Sequence, residues 1–261
     1  MKHVTMTLVL LFLLLPGLTV VAETGEEIMQ HVLDNQKVSS SAMDIRMTLI
    51  APNGSESGRR IQTLVLDNDD ISATITVFLE PASVRNTRFL TIDNQGRADD
   101  QWIYLPSLRR VRRIAATERD SSFMGSDFSY SDISFSQSSI EDNRHTLLRN
   151  ETLDGRQCAV VESIPKSDNT GGYARQVSWI DRATWLPLRV EFFSEGSTTR
   201  EKVLKAGDLR QVDGRWLTGT LTMTTVSSGH RTVLSIDQVR YDIPLDPGYF
   251  TTTFLETGRP R

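Results

Sequence analysis

Residues 43–49 read Met-Asp-Ile-Arg-Met-Thr-Leu, so apolar and polar side chains alternate at every position. Residues 71–77 repeat the pattern as Ile-Ser-Ala-Thr-Ile-Thr-Val, and Leu79 continues it. Successive side chains of a β-strand point to opposite faces of the sheet. Both stretches therefore predict strands of an antiparallel sheet, with one face on an apolar core and one face in water.

Strand-like runs of this kind continue along the chain. Turn pairs such as Asp154-Gly155 and Asp213-Gly214 separate them in the manner of hairpins. Roughly a dozen short strands predict a sandwich, a barrel or a strongly curved sheet, and the strand–helix alternation of a doubly wound fold is missing from the sequence. The further strand candidates lie near residues 60–66, 86–92, 101–105, 110–115, 146–151, 157–164, 174–181, 187–194, 199–206, 215–226 and 231–240.

A helix is predicted ahead of the first strand. Thr24 and Glu27 have the spacing of a capping box, in which each side chain bonds the backbone of the other residue. Apolar residues then recur at helical spacing as far as Leu33. We expect this helix to end near Asn35.

One segment departs from the strand pattern. Residues 116–145 are rich in Ser and Asp, which is typical of a loop, yet they carry several large apolar side chains. A surface loop would leave those side chains in water. We therefore expect the segment to cover the concave face of the sheet as a lid or plug. Its large apolar residues are Phe123, Met124, Phe128, Tyr130, Ile133 and Phe135.

The first 22 residues have the pattern of a secretory signal peptide. A short basic start at Lys2 precedes an apolar run over residues 8–15, and small Ala22 stands at the expected cleavage point. The run is shorter than the about 20 residues of a membrane span, although an uncleaved anchor helix is the alternative. We expect residues 23–261 to form a single periplasmic domain, without lipidation because no cysteine follows the run.

Charge and cysteine content exclude other classes. The chain has 33 acidic and 29 basic residues, and Lys2 lies in the leader, so the exported protein carries a net charge near −5. This balance argues against nucleic-acid binding. The single cysteine, Cys158, cannot form an internal disulfide. It is interpreted as a buried apolar residue, with a thiol activated by Arg156 as the alternative.

No local motif supports catalysis. The histidines of the exported chain, His31, His145 and His230, are isolated from one another in sequence. Paired metal-ligand motifs are missing, and so are the nucleophile elbow and the Gly-rich phosphate loop. The sequence therefore predicts a protein that is not an enzyme and uses no metal or cofactor. A hydrolase site assembled from distant residues is the alternative.

The densest charge lies in residues 108–114, which read Leu-Arg-Arg-Val-Arg-Arg-Ile. The planar guanidinium group pairs well with carboxylates and phosphates. We interpret Arg109, Arg110, Arg112 and Arg113 as a docking patch for an anionic partner, a lipid headgroup or a membrane surface. The alternative is ion pairing within the protein, with the acidic residues that follow: Glu118, Asp120, Asp127 and Asp132.

Three blocks of the sequence resemble a known family. QWIYLPSLRRVRRI at residues 101–114 and SFMGSDFSYSD at residues 122–132 closely resemble the signature of the LolA-like outer membrane lipoprotein-sorting proteins. WIDRATWLPLR at residues 179–189 is similar to a second block of that family. The resemblance implies an incomplete β-barrel wrapped around helices, with a hydrophobic cavity for acyl chains.

The resemblance also implies a function. It is that of a periplasmic carrier that moves lipids or lipid-modified cargo toward the outer membrane, beside an RND-type exporter or an outer-membrane acceptor. A periplasmic sensor or regulatory subunit that recognises lipoproteins and docks on a membrane protein is the alternative. From the lid interpretation we assign cavity lining, with plain core packing as the alternative, to Trp102, Tyr104, Phe123, Met124, Phe128 and Tyr130.

Overall fold

The N-terminal helix begins at the capping box that the sequence predicts. The computed structural model describes residues 23–94, 97–133, 142–166 and 172–260, so the expected leader lies outside the described residues. The backbone N–H of Thr24 donates to Glu27 Oε2 at 2.7 Å, and the Glu27 N–H donates to Thr24 Oγ1 at 3.1 Å. Helix α1 (Gly25–Gln36) follows and buries Ile28 and Val32.

Thirteen strands form one antiparallel sheet, which confirms the predicted mostly β fold, and the sheet is not closed into a barrel. In sequence order they are β1 (Ser40–Ile50), β2 (Glu56–Asp67), β3 (Ser72–Glu80), β4 (Arg88–Ile92), β5 (Asp100–Leu105), β6 (Arg110–Arg113), β7 (Asn143–Leu153), β8 (Arg156–Pro165), β9 (Arg175–Asp181), β10 (Pro187–Phe193), β11 (Lys202–Val212), β12 (Arg215–Thr225) and β13 (Arg231–Tyr241).

The strand order explains how the chain crosses the sheet. Strands run from β6 at one edge through β1, which pairs with β13 in the middle, to β7 at the other edge. Hairpins join all neighbours except β1 and β13. The connection from β6 to β7 therefore joins the two edge strands, and its described part packs on the face of the sheet. Residues 115–133, which we call the lid segment, belong to this connection and include the short helix α2 (Tyr130–Ile133).

The lid segment and α1 lie on the same face of the sheet, which we call the inner face. Met47 of β1 and Phe89 of β4 pack against the lid segment. Ala159 of β8 and Ile180 of β9 pack against α1. Both halves of the inner face thus carry apolar clusters, and segments that are not strands cover these clusters.

The opposite, outer face is also covered. A 3₁₀ turn at Pro247–Phe250 and helix α3 (Thr252–Thr257) pack Phe250, Phe254 and Leu255 against β2 to β5. We call residues 247–258 the outer cap. The expectation of a water-facing side is therefore wrong for β3: Phe78 and Ile75 are both fully buried, on opposite faces. The sequence prediction contained no helix here. Within the described ranges, no helix has the length and apolar character needed to cross a membrane.

Candidate functional site

Phe123 is the centre of the lid segment. Its side chain is fully buried, and its ring centroid lies 5.1 Å from that of Phe89, 5.8 Å from that of Phe78 and 5.4 Å from that of Tyr130. Tilted aromatic pairs at these separations are favourable beyond the area they bury. Burial raises the pKa of the Tyr130 phenol. Two of the predicted lining residues therefore form one aromatic cluster with the inner face.

The lid backbone is also tied to the first half of the sheet. Arg59 Nη1 donates to the carbonyl oxygen of Met124 at 2.6 Å, and Gln101 Nε2 donates to that of Tyr130 at 3.3 Å. Met124 has the left-handed backbone conformation, with φ at +53°, and its half-buried side chain packs at the edge of the aromatic cluster. Burial lowers the pKa of Arg59.

Phe128 reaches the second half of the sheet. It is buried against Val190 and Phe192 of β10 and Met223 of β12. Leu234 of β13 lies between this group and the aromatic cluster around Phe123. The lid segment thus fills the inner face from β4 to β10 with its own side chains.

Trp102 and Tyr104 lie apart from the other four residues. They alternate with Gln101 and Ile103, which point to the lid segment, so they project from the outer face toward the outer cap. The Arg88 guanidinium lies 5.2 Å from the ring centroid of Tyr104. The structure therefore brings Phe123, Met124, Phe128 and Tyr130 together on the inner face and leaves the two β5 aromatics on the outer face.

A buried carboxylate holds the lid segment to the β12–β13 hairpin. Asp127 Oδ1 accepts from Thr225 Oγ1 at 2.6 Å, and Asp127 Oδ2 accepts from Thr232 Oγ1 at 2.7 Å. His230 Nδ1 lies 2.7 Å from the same Oδ2, and the Asp127 N–H donates to Thr232 Oγ1 at 3.0 Å. We call this group the Asp127 latch. Its partners lie about a hundred positions away in sequence, so no local motif could reveal it.

Two more carboxylates attach the lid segment to the same half of the sheet. Asp132 Oδ2 accepts from the Tyr173 hydroxyl at 3.1 Å and lies 3.7 Å from Lys202 Nζ. Asp120 Oδ2 accepts from the Gly172 N–H at 2.7 Å. Burial raises the pKa of Tyr173, so its hydroxyl remains a donor. These contacts surround a polar cavity of about 130 Å³.

The arginine strip divides into two parts. Strand β6 begins at Arg110, and Arg109 lies in the preceding turn with φ at +48°, so the four arginines do not all lie on one strand. Arg112 Nη1 pairs with Glu118 at 2.5 Å, and Arg113 pairs with Asp100. Arg109 and Arg110 are exposed and form no ion pair with any described residue.

Three of the four acidic residues considered as partners of the strip bond elsewhere. Only Glu118 pairs with an arginine of the strip, and that contact lowers the pKa of its carboxyl. Of the ion pairs that the sequence suggested within the protein, the described residues therefore contain only the one between Arg112 and Glu118. Arg109 and Arg110 remain candidates for an external anionic partner.

The structure assembles little that could act as a catalyst. Cys158 is buried, and burial raises the pKa of its thiol, which disfavours the reactive thiolate. In the part of the chain that the structure describes, no group of three or more His, Cys, Asp or Glu side chains is placed to hold a metal ion. The described residues form an apolar sheet surface that is covered by the lid segment, and polar side chains attach the lid segment to the sheet.

Comparison with known proteins identifies the family. A family model described as an uncharacterized protein matches residues 70–257. A structure from Vibrio parahaemolyticus, named for an outer membrane lipoprotein-sorting protein domain, is 32% identical and has a TM-score of 0.82. The match covers 89% of this chain and 98% of that one. A search of curated proteins finds no match.

Two further structures share the fold. A DUF1329 family protein from Desulfovibrio piger is 27% identical with a TM-score of 0.83, over 88% of this chain and 97% of that one. A LolA superfamily protein from Nitrosomonas europaea is 22% identical with a TM-score of 0.71, over 89% of this chain and all of that one. The predicted resemblance is confirmed: this chain belongs to the LolA-like outer membrane lipoprotein-sorting protein family.

Proposed function

We propose that this protein is a periplasmic carrier that binds lipid or lipid-modified cargo on the inner face of the sheet, beneath the lid segment. One observation carries the proposal: apolar clusters on the inner face are covered by a segment that is attached through the side chains of Asp120, Asp127 and Asp132. Membership of a family whose relative is named for lipoprotein sorting supports the same function. We propose no catalytic role.

In the proposed binding step, the ligand replaces side chains of the lid segment on the inner face. The side chains of Phe123 and Phe128 occupy the space that an acyl chain would take, so the chain enters when they leave. Each buried CH₂ contributes about 0.8 kcal/mol, but the lost lid contacts subtract from the total. The closed lid also keeps the apolar face away from water, where a large exposed patch would promote aggregation. A moderate net affinity suits a carrier, which has to release its cargo.

The β5–β6 turn is the proposed docking point for a membrane or a membrane partner. Leu108 is 66% exposed, and it is followed directly by Arg109 and Arg110, which form no ion pair with a described residue. An exposed apolar side chain beside two cations fits an anionic lipid surface, where each basic residue contributes about 1 kcal/mol. An RND-type exporter or an outer-membrane acceptor would supply the cargo or receive it there.

The test places a charge on the sheet beneath the lid. Leu234 faces the lid segment and is half-buried, whereas its neighbour Val233 points to the other face of the same strand. We expect Leu234→Asp to abolish binding of a pyrene-labelled diacylglycerol and Val233→Asp to leave it unchanged. Folding is checked by thermal unfolding, and passage of the probe to acceptor vesicles distinguishes a carrier from a sensor. Equal binding by both folded variants would contradict the proposal.

A further inference from the structure

A cavity of about 480 Å³ opens beside the edge strand β6, where the lid segment begins. Three arginines surround it: Arg97 before β5, Arg113 at the end of β6, and Arg119 in the lid segment. Its remaining lining is apolar and includes Ile114 and Ala116. An apolar pocket with three guanidinium groups has the composition that a charged amphiphile requires.

Asp100 positions two of the arginines. Its Oδ2 accepts from Arg97 Nη2 at 2.7 Å, and its Oδ1 accepts from Arg113 Nη2. The hydrogen bond from Arg97 lowers the pKa of Asp100 to about 2, so the carboxylate is ionised at neutral pH. Arg97 also donates to Asn94 Oδ1 at 2.8 Å and to the Ala98 carbonyl at 3.4 Å. A guanidinium has five N–H donors, so both arginines keep donors available for a second anion.

Arg119 is the third cation. Its Nη2 donates to the backbone carbonyl of Asp99, and its buried Nε has no hydrogen-bond partner among the described residues. No carboxylate pairs with Arg119 in the described part of the chain, whereas Arg97 and Arg113 share Asp100. Counting Asp99 and Asp100 against the three arginines leaves the cavity with one excess positive charge.

The cavity lies at the edge of the sheet and adjoins the covered inner face at one residue. Ile114 lines the cavity, is itself buried, and packs in the same cluster as Phe123 and Tyr130. A molecule with its anionic group between the arginines would therefore have its apolar part directed at the residues beneath the lid segment. Arg113 pairs with Trp102 and so lies on the outer face of β6, and the acyl chains would reach the inner face around this edge strand, past Ile114.

We infer that this cavity binds the phosphate headgroup of an anionic lipid whose acyl chains lie beneath the lid segment. The inference rests on the proposed carrier function and names its substrate class. Phosphate oxygens match the planar fork of arginine. A free phosphate ion presents the same oxygens but has no apolar part for Ile114 to contact, so the two sources are separable by experiment.

The decisive variant adds a charge without removing a contact. Ala116 lines the cavity and is exposed, so Ala116→Glu places a carboxylate beside the arginines, and Ala116→Gln is the uncharged control of equal size. The probes are pyrene-labelled short-chain phosphatidylglycerol and pyrene-labelled diacylglycerol of the same chain length. We expect Ala116→Glu to weaken phosphatidylglycerol binding about tenfold, the size of one charge-assisted hydrogen bond, and to leave diacylglycerol binding unchanged. Ala116→Gln should change neither.

Further variants separate the outcomes. Arg119→Gln should reproduce the loss of phosphatidylglycerol binding and Arg119→Lys should restore part of it, whereas Arg110→Gln should change only binding to vesicles. Equal affinity of the unaltered protein for both lipids, or equal losses in both Ala116 variants, would overturn the headgroup site and leave the carrier function standing. Inorganic phosphate that binds as well as phosphatidylglycerol would overturn the lipid assignment. If neither lipid binds, the proposed function fails and this inference fails with it.

Discussion

The lid segment and the outer cap cover opposite faces of the same strands by different means. The outer cap buries Phe250, Phe254 and Leu255, and α3 adds one hydrogen bond from Arg88 Nη1 to the Leu255 carbonyl at 2.8 Å. The lid segment also buries aromatic rings, but it spans the sheet and is attached by the buried carboxylate of Asp127 and the partly buried carboxylate of Asp132.

The two covers differ in how readily they can detach from the sheet and return to it. Apolar contacts of the cap have no better alternative in water, so detaching it exposes hydrocarbon. Water solvates the polar groups that attach the lid segment, which are carboxylates, hydroxyls and a lysine. Their net contribution to the free energy of lid closure is therefore modest. The lid face also gains a replacement for its apolar contacts when an acyl chain enters. Under the proposed function, the outer cap is a permanent part of the fold and the lid segment is the cover that exchanges with the ligand.

The largest effect is expected at the cap. Phe254→Ala should lower the free energy of unfolding by about 3–5 kcal/mol, because it removes a buried ring from a packed cluster. Lipid affinity of the folded variant should not change. Urea unfolding measures the loss, and Thr253→Ala, on the exposed side of α3, is the control. A loss below about 1 kcal/mol would remove the distinction between the two covers.

A smaller loss is expected for the matching change in the lid. Phe123 is as buried as any residue of the cap, yet Phe123→Ala should lower the free energy of unfolding by less than half as much as Phe254→Ala. Local opening limits what a contact in a detachable segment contributes to global stability. Apparent affinity for pyrene-labelled diacylglycerol should rise, since a weaker closed state competes less with the lipid. Unchanged affinity, also after a charge is placed at Phe128, would remove the lid segment from the ligand site.

The Asp127 latch should matter for opening more than for unfolding. Asp127→Asn replaces charge-assisted hydrogen bonds to two threonines and His230 with weaker neutral ones. We expect opening of the lid segment to become easier by about 1–2 kcal/mol. Hydrogen exchange at the amide of residue 127 reports it, and Asp70→Asn in an exposed turn is the control. Equal exchange rates in all three proteins would show that the latch does not hold the lid.

Acid should weaken the β5–β6 edge of the sheet slightly, where Asp100 bonds Arg97 and Arg113. The pKa of Asp100 is depressed to about 2 in the folded protein, from an ordinary value of 3.8, mainly by its bond to Arg97. A depressed pKa means stability that is present above pH 4 and is lost as the pH falls toward 2. After allowance for solvent screening the loss is about 1 kcal/mol. Asp100→Asn should remove this part of the pH dependence in urea titrations, and an unaltered profile would exclude Asp100 as its source.

The sheet could be predicted from sequence because alternation is a local signal. Every predicted strand is present, and the capping box at Thr24 is confirmed, with α1 ending at Gln36, one residue past the expected end. The outer cap was missed, since α3 has six residues and its burial depends on an unrelated part of the chain. Phe78, buried opposite the Ile75 face, shows why a water-facing side was wrongly expected: the alternation cannot reveal a cover that arrives from far away.

The site was only partly predictable for the same reason. Large apolar residues in a polar segment indicated a lid, and four of its residues do lie together on the inner face. Trp102 and Tyr104 lie on the outer face, because neighbouring positions on β5 alternate and Ile103 occupies the inner side. Asp127 and His230 are 103 positions apart, so their pairing is a property of the folded sheet alone.

Hydrogen exchange at two amides tests the exchangeable lid most directly. The Asp127 amide donates to Thr232 Oγ1, across the boundary between lid and sheet, whereas the Leu255 amide donates to Thr251 within the outer cap. When pyrene-labelled diacylglycerol is bound, exchange at Asp127 should accelerate by about tenfold or more, which corresponds to about 1.4 kcal/mol, and exchange at Leu255 should not change. Bound lipid with full protection retained at Asp127 would contradict the account.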